Sequence, residues 1–323
     1  MTEARRRPWK LLLAFAIVYI VWGSTYLAIR YAVQTIPPLL MAGSRFLVAG
    51  TILFTVSFLR TRARPSLNHW RTAVVVGFLL LFCGNGGVSI AETRVTSGMA
   101  ALLITSEPMW IVLLNWLRPG GRAPSTREVA GVVIGFVGVA LLLSPQIGSM
   151  HGNLAGSNLI WYLLIVATTL AWAAGSLYGI GAPMVADRSL GNGMIMLVGG
   201  GMMFFTGLAT GEATNFHWQA VSAVSIAGWA YLIVFGSLLA FSAYTYLMSN
   251  APPSKASTYA FVNPVIAVLL GWSIAGEPLD ARSVVAIVIV VSAVMLITLG
   301  RGPDKPRSTE REGTTAETIP ESA

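Results

Sequence analysis

Charge is scarce in this chain. Asp, Glu, Lys and Arg make up only 11% of its 323 residues and 55% are hydrophobic, whereas soluble globular proteins carry about 25% charged residues. With a mean hydropathy of +0.70, such a chain is expected to be an integral membrane protein surrounded by membrane lipids. Cysteine is nearly absent. Cys83 is the only one and lies inside an apolar run, which excludes a disulfide framework and a cysteine metal cluster. His69, His151 and His217 are the only histidines and fall in or beside loops. There is no HExxH and no Gly-Asp dyad of the kind an intramembrane protease needs. No metal and no cofactor are expected, and no catalytic residue is assigned. The net charge of +8 does not imply nucleic acid, because the Lys and Arg sit in short clusters between apolar runs, as topology signals do. The run after Arg5-Arg6-Arg7 mimics a signal peptide but is too long, has no obvious small-x-small cleavage site and leads into further spans, so it is read as the first span.

Segments of about 20 mainly apolar residues, enough to cross a hydrocarbon core of about 30 Å, occur ten times: residues 11–29, 39–59, 72–90, 96–116, 129–143, 159–178, 190–210, 226–248, 254–274 and 284–299. The fifth and tenth are short. Turn chemistry separates them, as at Pro37-Pro38, Pro119-Gly120-Gly121 and Pro252-Pro253. With the N-terminus in the cytoplasm, seventeen of the 21 basic residues fall on the inner side, which places both termini inside. Five spans per half is an odd number, so the second half enters the membrane upside down. The expected fold is an all-α membrane protein of ten transmembrane helices in two inverted five-helix repeats. Its parts are a cytoplasmic N-terminus (1–10), a first repeat (11–143), an external linker (144–158), a second repeat (159–299) and a disordered cytoplasmic tail (300–323).

The fourth span carries Glu107 and Pro108 near its middle. A carboxylate at that depth usually faces a bundle interior or a wet cavity, and proline removes a helical hydrogen bond and frees a carbonyl one turn earlier. The second half repeats the pattern 156 positions on, with Asn263-Pro264 in place of Glu107-Pro108 and Trp272 in place of Trp116. Two broken polar spans in matching places point to a solute pathway. The first spans of the halves also correspond, Trp22-Gly23-Ser24-Thr25-Tyr26 with Trp172 to Tyr178.

The stretches WGSTYLAIRYAVQTIPPLLMAGSRFLVAG from Trp22, LLITSEPMWIVLLNWLRPGGRAPS from Leu102 and YAFVNPVIAVLLGWSIAGEPLDARS from Tyr259 resemble the drug/metabolite transporter superfamily in its ten-span EamA-type branch. The resemblance covers roughly residues 9–300. Gly276-Glu277 matches the family's common Gly-Glu after the ninth span; in the first half Gly120-Gly121-Arg122 stands there, and no role is carried to that loop. The similarity implies export or exchange of small metabolites, often amino acids or related polar compounds, through a central cavity lined by both halves.

Glu107 lies eleven residues from Thr96, roughly 16 Å deep at about 1.5 Å per residue. It is read as lining or gating the cavity, as a proton-binding group or a partner for a solute ammonium; a structural salt bridge or a helix cap is the alternative. Arg45, about 10 Å deep, can hold an anion, but the favoured reading is structural, snorkelling outward or pairing with Glu92 or with first-span carbonyls. Asn263, Tyr259, Trp22, Ser24, Tyr26, Asn85, Trp110, Trp172, Ser176, Tyr178 and Tyr244 complete a candidate cavity with aromatic walls and polar anchors, which suits a small solute with a polar head and an apolar part. Arg45, Pro108 and Pro264 are placed near the pathway or in a structural role. Trp9 and Trp218 read as an interfacial belt, and Gly131, Gly135 and Gly138 as a close-packing face within the protomer or in a dimer.

The expected function is that of a secondary transporter, an exporter or exchanger moving a small metabolite across the inner membrane by alternating access. Proton coupling and the choice between monomer and homodimer stay open. A lipid-modifying membrane enzyme is the first alternative, with Glu277 and Asp280 its only acidic pair on a short outer loop; a non-transporting scaffold or sensor is the second.

Overall fold

The computed structural model describes residues 8–119, 121, 123–148, 159–214, 216–251 and 259–300. Residues 1–7, most of the linker, the Pro252-Pro253 turn with the start of the ninth span, and the tail 301–323 lie outside the described residues. Among the described residues ten long helices follow one another: α1 (Pro8–Ala32), α2 (Pro38–Thr61), α3 (Leu67–Ala91), α4 (Ser97–Leu117), α5 (Thr126–Gly148), α6 (Leu159–Gly181), α7 (Arg188–Ala209), α8 (successively Ala223–Tyr231, Leu232–Leu239 and Ala240–Asn250), α9 (Tyr259–Ala275) and α10 (Ala281–Gly300). No strand occurs among the described residues. Eight of the helices are long and apolar enough to cross a membrane, and the apolar stretches Val262–Ala275 and Ala281–Ile297 are shorter. With the backbone hydrogen bonds closed inside each helix, the outward faces can be purely apolar; Leu12, Val133, Ile180, Phe205 and Val288 are all more than half exposed.

The fifth and tenth helices are longer than their apolar cores because polar residues start them. Ser125 and Glu128 form a capping box, Ser125 N donating to Glu128 Oε2 at 2.7 Å and Glu128 N to Ser125 Oγ at 3.3 Å. Asp280 Oδ1 accepts from Ser283 N at 2.8 Å and starts α10.

Helix neighbours are reciprocal between the halves. α2 lies along α7 and α5 along α10; α1 meets α9 as α6 meets α4, α3 meets α6 as α8 meets α1, and α4 meets α9. Replacing each helix by its counterpart in the other half leaves this pattern unchanged, as inverted repeats about a two-fold axis require. The seam between α2 and α7 is built from glycine on both sides. A Cβ on Gly43 would lie 2.5 Å from Phe204 N, and one on Gly193 2.7 Å from Phe54 N. One on Gly50 would lie 2.8 Å from Leu197 N, and one on Gly200 2.9 Å from Leu47 N. Only glycine lets the two backbones come so close. The glycine face of α5 is likewise filled from within the protomer, Gly131 facing Ile297 and Gly138 facing Val290 of α10.

At one end of the bundle, two glutamates of the second half hold helices of the first. Gly276, at φ +64°, turns the chain after α9, and Glu277 accepts from Ser97 N and Ser97 Oγ at 2.8 Å each and from Gly98 N at 2.9 Å. Gly211, at φ +82°, turns the chain after α7, and Glu212 accepts from Leu39 N at 3.2 Å and Leu40 N at 2.9 Å. Each carboxylate satisfies orphan amides at a helix start, where the helix dipole also favours negative charge. These contacts explain the Gly276-Glu277 pair and show that Gly211-Glu212 repeats it.

Candidate functional site

α4 breaks where its hydroxyl side chains compete for the backbone. Thr105 N and Ser106 N bond three residues back, to Leu102 O at 3.3 Å and Leu103 O at 3.1 Å, and Thr105 Oγ1 and Ser106 Oγ donate to the same two carbonyls. Ser106 Oγ also pairs with Thr169 Oγ1 of α6 at 2.9 Å. A new helix, Glu107–Leu117, starts beyond the break. Glu107 thus stands in the first turn of a helix, favoured by its dipole, and Pro108 sits where no amide is needed.

Among the described residues the expected second break is absent. α9 runs through Tyr259–Ala275 with Pro264 inside it, because Phe261 and Val262, the pair immediately before Asn263, carry no hydroxyl to take the carbonyls. Asn263 is buried and its Oδ1 has no hydrogen-bond partner. The matched irregularities lie instead in α3 and α8. Both widen into π-helix, over Gly77–Gly86 and Leu232–Leu239, a form that recurs at functional sites. Each holds a glycine against a tryptophan of the other half. A Cβ on Gly84 would lie 2.9 Å from the ring of Trp172, and Trp22 Nε1 donates to Gly236 O at 3.3 Å.

These features surround one cavity of about 140 Å³. By the yardstick of roughly 10–15 Å³ for each water-sized sphere, it has room for about ten such spheres. Trp22, Tyr26, Asn85, Glu107, Trp172, Tyr259 and Asn263 share its wall, together with Arg45, Pro108 and Pro264. Arg45 and Glu107 are the two charged residues among the described wall residues.

Five expected residues stand off the wall. Ser24 pairs with Tyr231 OH at 2.6 Å: counting along α1 from Trp22, the cavity face takes Thr25, Tyr26 and Ile29 at the third, fourth and seventh places, so Ser24 points elsewhere. Trp110 packs edge-on against Phe136 of α5, centroids 5.1 Å apart, since the break resets the helix phase. Ser176 and Tyr178 lie beyond Trp172 on α6, and Tyr178 is exposed. Tyr244 stands behind the wall, 5.0 Å from the Trp22 ring and 5.8 Å from Tyr259. The sequence reading missed Phe46, Phe241 and the threonines Thr25, Thr105, Thr168 and Thr169. Helical spacing from Trp22 and Trp172 was the signal for Thr25 and Thr168.

Arg45 neither snorkels nor bonds to Glu92 or to first-span carbonyls. It is 5% exposed, its Nε donates to Ser237 Oγ at 3.0 Å, its guanidinium lies 4.4 Å from the Phe46 ring centroid, and Nη1 has no partner. Glu92 is wholly buried and both its carboxylate oxygens are without hydrogen-bond partners. Among the described residues, no group of three or more His, Cys, Asp or Glu is placed to hold a metal.

Residues 9–144 and 159–299 each match the EamA-like transporter family. The chain belongs to that family. It is similar to YedA of Escherichia coli (strain K12), described as an uncharacterised inner membrane transporter, at 37% identity over 91% of this chain and 92% of YedA. Protein PecM of Dickeya dadantii is 29% identical over 86% of this chain and 88% of its own length. The "Probable amino-acid metabolite efflux pump" of Escherichia coli (strain K12) is 21% identical over 88% and 93%. A solved crystal structure overlays with a TM-score of 0.60 at 19% identity, covering 91% of this chain and 97% of the other, which bears on the fold alone. The family, YedA and the efflux relative carry transporter or efflux names, and none of the three relatives carries an enzyme name.

Proposed function

We propose that this protein is a secondary transporter that exports or exchanges a small amphiphilic metabolite of the amino-acid type across the inner membrane by alternating access. The observation that carries the reading is the central cavity. It lies where the two halves meet, and its wall combines aromatic rings with a few polar groups and one charge of each sign, the mixture that suits a solute with a polar head and an apolar body. The inner-membrane setting is supported by the name of the YedA relative and export by that of the amino-acid efflux relative. The distribution of basic residues supports cytoplasmic termini.

In this reading the aromatic wall of Trp22, Tyr26, Trp172 and Tyr259 receives the apolar body. Asn85, Asn263 and the wall threonines bond the head group. The halves rock about the cavity, with the α2–α7 seam moving as a unit. Glu107, the acidic group of the wall, carries a coupling proton or meets a solute ammonium.

Counterflow into proteoliposomes loaded with a mixture of amino acids and other metabolites tests this, with and without an imposed pH gradient. Exchange of at least one such solute by the wild-type protein is expected. Accumulation driven by the pH gradient only while Glu107 is intact, and lost in Glu107→Gln, identifies proton coupling. Exchange unchanged in the variant makes Glu107 structural and the process facilitated diffusion. No exchange across a broad panel by folded wild-type protein sinks the reading.

A further inference from the structure

Arg45 is a buried cation with an incomplete set of partners. One end of its guanidinium is fixed by the bond from Nε to Ser237 Oγ and one face by the Phe46 ring. Nη2 lies 3.4 Å from where a Cβ on Gly236 would stand, so a side chain there would press against it. Nη1 has no partner at all. A guanidinium keeps its charge in any setting a protein offers, and a buried charge lacking hydrogen bonds is costly until something supplies them. Glu92, the carboxylate within electrostatic reach, does not do so, because neither of its oxygens makes a hydrogen bond.

The charge also belongs to one half only. The seam contacts are reciprocal, Gly43 on Phe204 with Gly193 on Phe54 and Gly50 on Leu197 with Gly200 on Leu47, so counterparts lie 150 positions apart and the same step carries Arg45 to Ile195. The scaffold therefore does not need a cation at this place. Fold symmetry accounts for the glycines and tryptophans around the cavity but not for Arg45.

We propose that Arg45 is the anion anchor of the cavity and that the transported solutes carry a carboxylate, which its planar fork receives. This rests on the transport reading given above. A carboxylate fits better than a phosphate, because Arg45 is the only cation among the described wall residues and a phosphate dianion would remain half neutralised. The fork is a better match for a two-oxygen head than an ammonium would be. Ser237 and Phe46 hold it in position before the solute arrives.

The test is counterflow by the full chain in liposomes, with solutes paired so that they differ in the carboxylate alone: L-amino acids against their amides, and small aliphatic acids against the corresponding alcohols. Wild type is expected to exchange the acids, with amides and alcohols competing at least tenfold more weakly. Arg45→Lys keeps the charge and loses the fork, and Arg45→Gln loses both. Each is expected to raise the half-saturation concentration for acids tenfold or more, Gln more than Lys, while the residual exchange of the amides changes little. Amides competing as well as acids, or an unchanged half-saturation concentration in Arg45→Gln, overturns the proposal while leaving transport itself intact. Where the variants elute as aggregates, the comparison of acid with amide on wild type decides alone. Wild-type protein that exchanges nothing in the panel removes the transport reading, and this proposal with it.

Discussion

Glu107-Pro108 and Asn263-Pro264 occupy corresponding places in the two halves, yet α4 breaks and α9 does not. Both carry the proline, so proline does not decide the matter. What differs is the pair before it: Thr105-Ser106 in α4, whose hydroxyls take the carbonyls of Leu102 and Leu103, against Phe261-Val262 in α9, which carry no hydroxyl. Local hydroxyl competition for the backbone opens a helix that proline alone leaves closed. The halves also part at the loops. Gly-Glu follows α7 and α9 and holds α2 and α4, whereas α7 starts on its own Asp187, which accepts from Leu190 N at 2.7 Å. Where the halves agree, as at the α2–α7 seam, the contacts are backbone on backbone; where they differ, side chains have been added to a common frame.

Breaking the shared part has the largest expected effect. Gly43→Leu forces a side chain into Phe204, where even a Cβ lies 2.5 Å from backbone nitrogen, and should cost more than about 3 kcal/mol. Loss of monodisperse protein on size exclusion, or a collapse of the melting temperature in detergent, is the readout. Gly193→Leu, its reciprocal partner at Phe54, is expected to do the same. A variant that elutes and melts like wild type would mean that the seam is looser than the geometry states.

The glutamate clasps come next. Glu277→Ala strips three donors of their acceptor and leaves two α4 amides unmet in a buried setting, a loss of about 2–3 kcal/mol. Glu212→Ala strips two, with the longer bond at 3.2 Å, and should cost about 1–2 kcal/mol. Melting temperatures of the two variants, measured side by side, check the order. A reversed order would show that the Glu212 end carries more of the inter-repeat contact than its bonds indicate.

Much of this architecture is legible from residues. Ten apolar segments and an odd number per half lead to inverted repeats, and a carboxylate beside a proline at mid-span leads to the cavity, because the bilayer makes length and polarity informative. Trp22 and Trp172 were found for the same reason: each sits among small residues in the first span of its half. The π-helical stretches of α3 and α8 have no such signature. Gly77–Gly86 and Leu232–Leu239 are ordinary apolar helix by composition, and the tryptophans that lie against them, Trp172 and Trp22, come from the other half of the chain. Gly211-Glu212 was visible but unread, since only the structure shows a glutamate of one half reaching a helix start of the other. Arg45 was located, but its hydrogen-bond partner Ser237 was not. Depth follows from counting residues, but partners depend on α8, which lies nearly two hundred positions away in sequence.

The smallest expected effect is also the cleanest separation of the two helices. Pro264→Ala returns an amide to the interior of a continuous helix, where it can bond the carbonyl one turn back, and should stabilise by about 1 kcal/mol. Pro108→Ala acts at the start of Glu107–Leu117, where that amide has no helical partner in any case, and should change stability by less than about 0.5 kcal/mol. Melting curves of the two variants in the same detergent measure the difference. A gain confined to Pro264→Ala supports a break in α4 held open by Thr105 and Ser106. Equal gains would mean that Pro108 itself keeps α4 open, and the contrast between the halves would then reduce to how well each tolerates the same proline.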